Sequence, residues 1–178
     1  MFIFTVCQIG AEAALKKEIA GNHPDLRFAY SRPGFLTFKS AAALPLEADF
    51  TLKSIFARAY GVSLAKATRP EEIFEHARAL RASTPEAGAE AKAGAKTEKP
   101  GKLRLHLWER YAFVIGEEPK RFISGAIAQA ARTQLRSRPE FTELFHEEEP
   151  AETGDLILDL IYIEEGSWWI GYHRYSAH

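Results

Sequence analysis

Apolar positions along the 178-residue chain recur with two periods, and the switches between them divide it into elements. Residues 2–6 form a short β-rich apolar run closed by Gln8 and Gly10, after which Ala14, Leu15 and Ile19 share one side of a helix predicted over 11–20. Asn22, His23 and Pro24 break the chain. Residues 26–30 and 35–39 read as strands joined by Ser31-Arg32-Pro33-Gly34, a four-residue hairpin signal. Residues 50–66 admit helix or strand. Alternation of Ile55, Ala57, Ala59 and Gly61 with Phe56, Arg58 and Tyr60 favours a strand in the middle. Arg69-Pro70-Glu71-Glu72 then starts a helix that carries Ile73, Phe74, Ala77 and Leu80 at helical spacing.

Residues 83–101 contain no Val, Ile, Leu, Met or aromatic residue and cannot bury enough apolar area to offset their ordering entropy, so they read as a flexible insertion. Beyond them Leu103, Leu105 and Leu107 alternate with Arg104, His106 and Trp108, a strand with one buried face. A long helix is predicted over 121–137. Ile123, Ile127, Ala131 and Leu135 form its core stripe, and Arg121, Gly125, Gln129, Arg132 and Arg136 share the opposite face. Residues 155–163 and 167–175 are strands about the turn Glu164-Glu165-Gly166, the clearest hairpin in the chain. Two small α+β units, each with mainly antiparallel sheet and helices packed on it, account for this order.

Composition changes this picture little: 46% hydrophobic and 26% charged residues describe an ordinary globular chain. The single Cys7 excludes an internal disulfide framework and suits a reducing compartment. The first residues carry no basic segment ahead of their apolar run, and no run approaches the roughly 20 residues that span a bilayer, so a cytoplasmic, unanchored protein is expected. Charge is more informative. The formal net charge of −1 hides +4 over residues 1–70, +5 over 102–138 and −10 over 139–166. A nearly neutral protein can therefore present a basic face, although solvated surface explains the same runs.

Four segments, CQIGAEAALKKEI, SIFARAY, KLRLHLWER with the basic helix after it, and LILDLIYIEEGSWWIGYHRYS, resemble in their order the N-terminal half of the large-subunit ribosomal RNA cytidine ribose-2′-O-methyltransferase family. The resemblance implies a ferredoxin-like domain over residues 1–67 and a THUMP-like RNA-binding domain over 68–178 with the insertion at 83–101. It implies ribosomal RNA as partner, and a Rossmann-like domain binding S-adenosylmethionine after a sequence similar to WWIGYHRYS, where this chain stops. No glycine-rich strand-to-helix turn that could hold S-adenosylmethionine occurs in the sequence, so no cofactor and no catalytic residue are assigned to this chain.

Candidate RNA contacts follow from residue type. Arg121, Arg132 and Arg136, with Lys120 before and Arg138 beyond, make a stripe that can meet successive phosphates. Arg32 in the hairpin turn and Lys16 and Lys17 on the first helix are a second patch. In the last hairpin Trp168, Ile170, Tyr172 and Arg174 face one way and Trp169, Gly171, His173 and Tyr175 the other. One set is expected in the core and the other free to stack on bases or pack on a following domain, with His173 and Arg174 as further phosphate contacts. The six histidines form no metal-ligand spacing, Cys7 reads as a packing residue, and the acidic run 146–149 as a solvated loop. A protein-interaction or dimerisation module of ferredoxin-like type is the alternative.

Overall fold

The computed structural model describes residues 1–41, 51–83, 102–109, 125–147 and 150–175. The first unit comprises β1 (Phe2–Cys7), α1 (Glu12–Asn22), β2 (Leu26–Arg32), β3 (Phe35–Ser40) and β4 (Ala57–Ala67). A 3-10 turn (Pro70–Glu72) leads into α2 (Ile73–Ser83), followed by β5 (Leu103–Glu109), α3 (Ala126–Arg136), α4 (Pro139–Leu144), β6 (Leu156–Glu164) and β7 (Ser167–Arg174). The expected flexible insertion, Ser83 aside, lies outside the described residues.

All strands join one sheet of order β2-β3-β1-β4-β7-β6-β5. Its first four strands run β2-β3-β1-β4 with every neighbour antiparallel, the split β-α-β arrangement of ferredoxin-like folds. In the second unit β7 pairs antiparallel with β6, and β6 parallel with β5. The expected α+β class, with a mainly antiparallel sheet and helices packed on it, is the class observed. The two sheets are nevertheless continuous, because β4 pairs with β1 along one edge and β7 along the other.

The helices pack on one face. Leu15 and Ile19 of α1 meet Ile3, Leu36 and Phe38, while α2, α3 and α4 place Ile73, Phe74, Ala131, Leu135 and Phe141 against Leu105, Leu158, Leu160, Trp168 and Ile170. Val62 pairs with both Ile3 and Tyr172, so the two clusters share that face. The other face carries Phe4, Phe35, Ile161, Ile163 and Trp169, also buried. Tyr30 on β2 stacks on Trp169 of β7 with ring centroids 5.8 Å apart. Four strand spacings would separate those strands by about 19 Å in a flat sheet, so the sheet is strongly curled.

Two glycines make room for the curl. A Cβ on Gly171 would stand 2.6 Å from Cδ1 of Phe4 and 2.8 Å from the Val62 carbonyl oxygen; one on Gly61 would stand 2.8 Å from Cε1 of Phe4 and collide with the Tyr172 carbonyl. The Phe4 ring, fully buried, lies over both. Breaks in register at Ser63/Ala65 and Phe28/Tyr30 add bend.

Two sequence expectations are corrected, and one short helix is added. The hairpin loop shortens to Pro33-Gly34, since Arg32 still pairs with Phe35. The long helix begins at Ala126, because Gly125 caps it at φ 95°, a left-handed conformation that interrupts the helix; residues 121–124 lie outside the described residues. Within the expected acidic tract, Pro139 starts a short helix, its missing N–H costing nothing in a first turn.

Gly171→Ala is expected to lower stability to urea by about 1–3 kcal/mol, as overpacking does, and the loss to shrink when Phe4 is also replaced by Leu. Equal losses in both backgrounds would mean that the ring does not govern this position.

Candidate nucleic-acid interface

The arginines of α3 are set by the way this helix is anchored. Its buried side, Ala131 and Leu135, faces the core, and Glu109 from the end of β5 accepts the backbone N–H groups of Ile127 (3.0 Å) and Ala128 (3.1 Å). A carboxylate there satisfies first-turn donors and complements the helix dipole. Arg132 and Arg136, one turn apart, both reach Glu147: Nη1 of Arg132 donates to Oε1 at 2.7 Å and Nε of Arg136 to Oε2 at 2.8 Å. Arg138 stands 3.9 Å from Glu71. A groove of about 550 Å³ opens beside them, lined by Lys102, Arg136, Phe141, His146 and Glu147 among others. The acidic run thus supplies a partner to the stripe through Glu147 and is not wholly solvated. Lys120 and Arg121 lie outside the described residues.

On the first unit Lys16 is exposed with its Nζ 3.9 Å from the Phe28 ring centroid, and Lys17 is exposed. Both belong to the helical side of the sheet. Arg32 is on the opposite side, its guanidinium 4.9 Å from the centroid of Tyr30. Lys66, which the sequence reading did not single out, lies over the same Tyr30 ring (5.1 Å) and over Trp169 (5.0 Å). No local signal marks it, because the rings that hold it come from strands remote in sequence.

The two faces of the last hairpin are both covered, contrary to the expectation that one would be free. Trp168 is 5% and Trp169 8% exposed; Trp169 packs on Tyr30 and Phe35 and donates its indole N–H to Ser63 Oγ at 2.6 Å. Tyr175 is half-buried, and Arg174 is exposed with Nη1 3.4 Å from the Gly154 carbonyl. His173 is turned inward to Asp159, Nδ1 to Oδ2 2.6 Å.

Asp159 is the residue sequence reasoning missed. It is fully buried on β6, and its carboxylate also accepts from Trp108 Nε1 at 2.8 Å, with His106 Nδ1 3.4 Å away. Burial by itself would raise its pKa; hydrogen bonds from His106, His173 and Trp108 and the His173 charge outweigh it and hold the carboxyl below its usual range. An aspartate within LILDLIYI was the available signal, since an acid inside a buried strand requires partners. Beside it the buried pair Arg104–Asp155 (2.5 Å) also ties down the carbonyls of His146 and Pro150, fixing the loop that carries Glu147. At Cys7 burial, reinforced by Glu12 and opposed by Arg58, pushes the thiol up to about 11, so it is no nucleophile near neutral pH.

No protein-family model and no curated protein matches the sequence. Solved structures do. PH1313 from Pyrococcus horikoshii aligns over 97% of this chain and 54% of its own, at 11% identity and a TM-score of 0.51. TrmN from Thermus thermophilus aligns over 99% and 46% (14% identity, TM-score 0.47), and a 4-thiouridine synthetase solved with RNA and ATP over 98% and 41% (12% identity, TM-score 0.42). The chain spans about half the length of these proteins or less, and the likeness to PH1313 is one of fold. Among the described residues no helix is long and apolar enough to cross a membrane.

Because folding depresses the pKa of Asp159, its stabilising contribution is complete above the unfolded value of about 3.9 and is lost as pH falls through the folded value. Asp159→Asn is therefore expected to flatten the decline of urea midpoint between about pH 5 and pH 3. An unchanged acid limb would mean that another group governs it.

Proposed function

We propose that this chain is an RNA-binding region that positions structured RNA for a methyltransferase domain outside it. The observation that carries this reading is the convergence of Arg132 and Arg136 on one carboxylate, within 2.8 Å, beside a groove that also holds Lys102. Two guanidiniums aimed at one pair of oxygens are arranged as for a phosphate, and Glu147 occupies the place a phosphate would take. Arg138, 3.9 Å from Glu71 beyond the end of α3, is a further cation with a different carboxylate partner. RNA would be held through phosphates and shape.

The finer reading rests on the resemblance: the RNA is large-subunit ribosomal RNA, the modified group a cytidine ribose 2′-hydroxyl, and the methyl donor S-adenosylmethionine bound by the missing domain. Among the described residues, the turn between β1 and α1 does not suit that donor. It carries one glycine, and the backbone N–H groups of Gly10 and of Gly34, from the β2–β3 hairpin, are taken by Glu12 at 2.9 and 2.5 Å. Methyl transfer is therefore assigned to no residue of this chain.

A second reading, a protein-interaction module, has Ile55, 90% exposed, and Phe56, 41% exposed, in its favour. Light scattering that finds a tight dimer indifferent to RNA would support it.

Binding of a structured ribosomal RNA fragment, compared with an equally charged DNA duplex, is expected to favour RNA and to weaken with salt, log K falling by roughly 0.7–0.9 per phosphate contact against log salt concentration. Arg132→Glu with Arg136→Glu should weaken it strongly, and Glu147→Gln, which removes the internal competitor, should strengthen it. No binding at low salt, or indifference to all three changes, would overturn the reading.

A further inference from the structure

The cations on the opposite side of the sheet differ from those of α3 in what holds them. Arg132, Arg136 and Arg138 face carboxylates, whereas Arg32 and Lys66 rest on aromatic rings and form no ion pair with a described residue. Tyr30 and Trp169 stack with an interplanar angle of 20° and centroids 5.8 Å apart. Lys66 lies over both rings and Arg32 over Tyr30. The rings are themselves fixed: Trp169 by its bond to Ser63 and by Phe35 at 5.3 Å, Tyr30 by its place on β2. Cation–π contact orients a charge without neutralising it and leaves its N–H donors available to an anion. Among the described residues the Arg32 guanidinium makes one hydrogen bond, 3.4 Å from Nη1 to the Ser31 carbonyl.

We propose that Arg32 and Lys66, held on the Tyr30–Trp169 stack, form a phosphate-binding clamp for the backbone of an RNA strand. The clamp draws Arg32 and Tyr30 from β2, Lys66 from β4 and Trp169 from β7, so it exists only where the two units share the curled sheet. Trp169 acts in it as the seat of a cation and not as a base platform, in keeping with its burial. The occupant is a polyanion because two positive charges share the Tyr30 ring, each within 5.1 Å of its centroid, and among the described residues neither pairs with a carboxylate, unlike the Arg132–Glu147–Arg136 arrangement. This inference rests on the RNA-binding reading and adds a second, separate contact to it.

The test compares Arg32→Gln, Lys66→Gln and the double variant with wild type, using the same structured ribosomal RNA fragment over a salt series. Lys66 is exposed and Arg32 half-buried, and thermal melting checks that the variants fold. Each substitution is expected to weaken binding several-fold and to reduce the magnitude of the salt slope by about 1, a readout that a purely structural role would not move. Slopes and affinities equal to wild type in both single variants would overturn the clamp. If Arg132→Glu with Arg136→Glu weakens binding while the clamp variants do not, the RNA-binding reading stands and the clamp falls. Absence of binding by the wild-type chain removes both.

Discussion

The contact on which the architecture depends is the Phe4 ring lying over Gly61 and Gly171. A side chain on either glycine would hold the strands away from that ring, and the sheet would flatten toward its ordinary twist. With the ring seated, β2 comes round to β7, Tyr30 meets Trp169, and a second core of Phe4, Phe35, Ile161, Ile163 and Trp169 closes on the side away from the helices. A sheet with helices on one face would normally leave its other face wet. Here the curl turns that face into an interior, so both tryptophans of β7 are buried although they point in opposite directions.

Burying both faces also imposes an electrostatic requirement, because charged side chains at alternate positions of β5 and β6 are drawn inside. Asp155 is answered by Arg104, and Asp159 by two histidines and an indole N–H. Such pairs add little net stability when complete but cost several kcal/mol when one member is lost, so they act mainly by specifying where strands and loops must sit. The Arg104–Asp155 pair does this for His146 and Pro150, and through His146 for Glu147, the anion that holds Arg132 and Arg136. Surface cations are thus prepared in two ways, by a displaceable carboxylate on α3 and by aromatic rings on the curled face.

Much of this was legible in the chain. The strands β6 and β7 follow from two apolar runs flanking Glu164-Glu165-Gly166, and α2 from Pro70 and two acids ahead of Ile73 and Phe74. What could not be read was non-local. The pairing of β4 with both β1 and β7, and the parallel pairing of β5 with β6, depend on partners chosen in three dimensions. Gly125 read as a small residue on a helix face, whereas its φ of 95° makes it the cap. Lys66 carries no local signal, since its rings lie 36 and 103 residues away by number, the differences between 66 and 30 and between 169 and 66. The arginines of α3 were legible as a stripe, but not their shared partner Glu147.

The most direct test of the claim that RNA meets this chain through cations already held in place is amide chemical-shift mapping of the isotope-labelled chain as a structured ribosomal RNA fragment is added. The expected result is perturbation at Arg32, Lys66 and Arg132 through Arg138, progressing to saturation at low salt and reversed by added salt. Saturable binding that leaves both regions unperturbed would contradict the account.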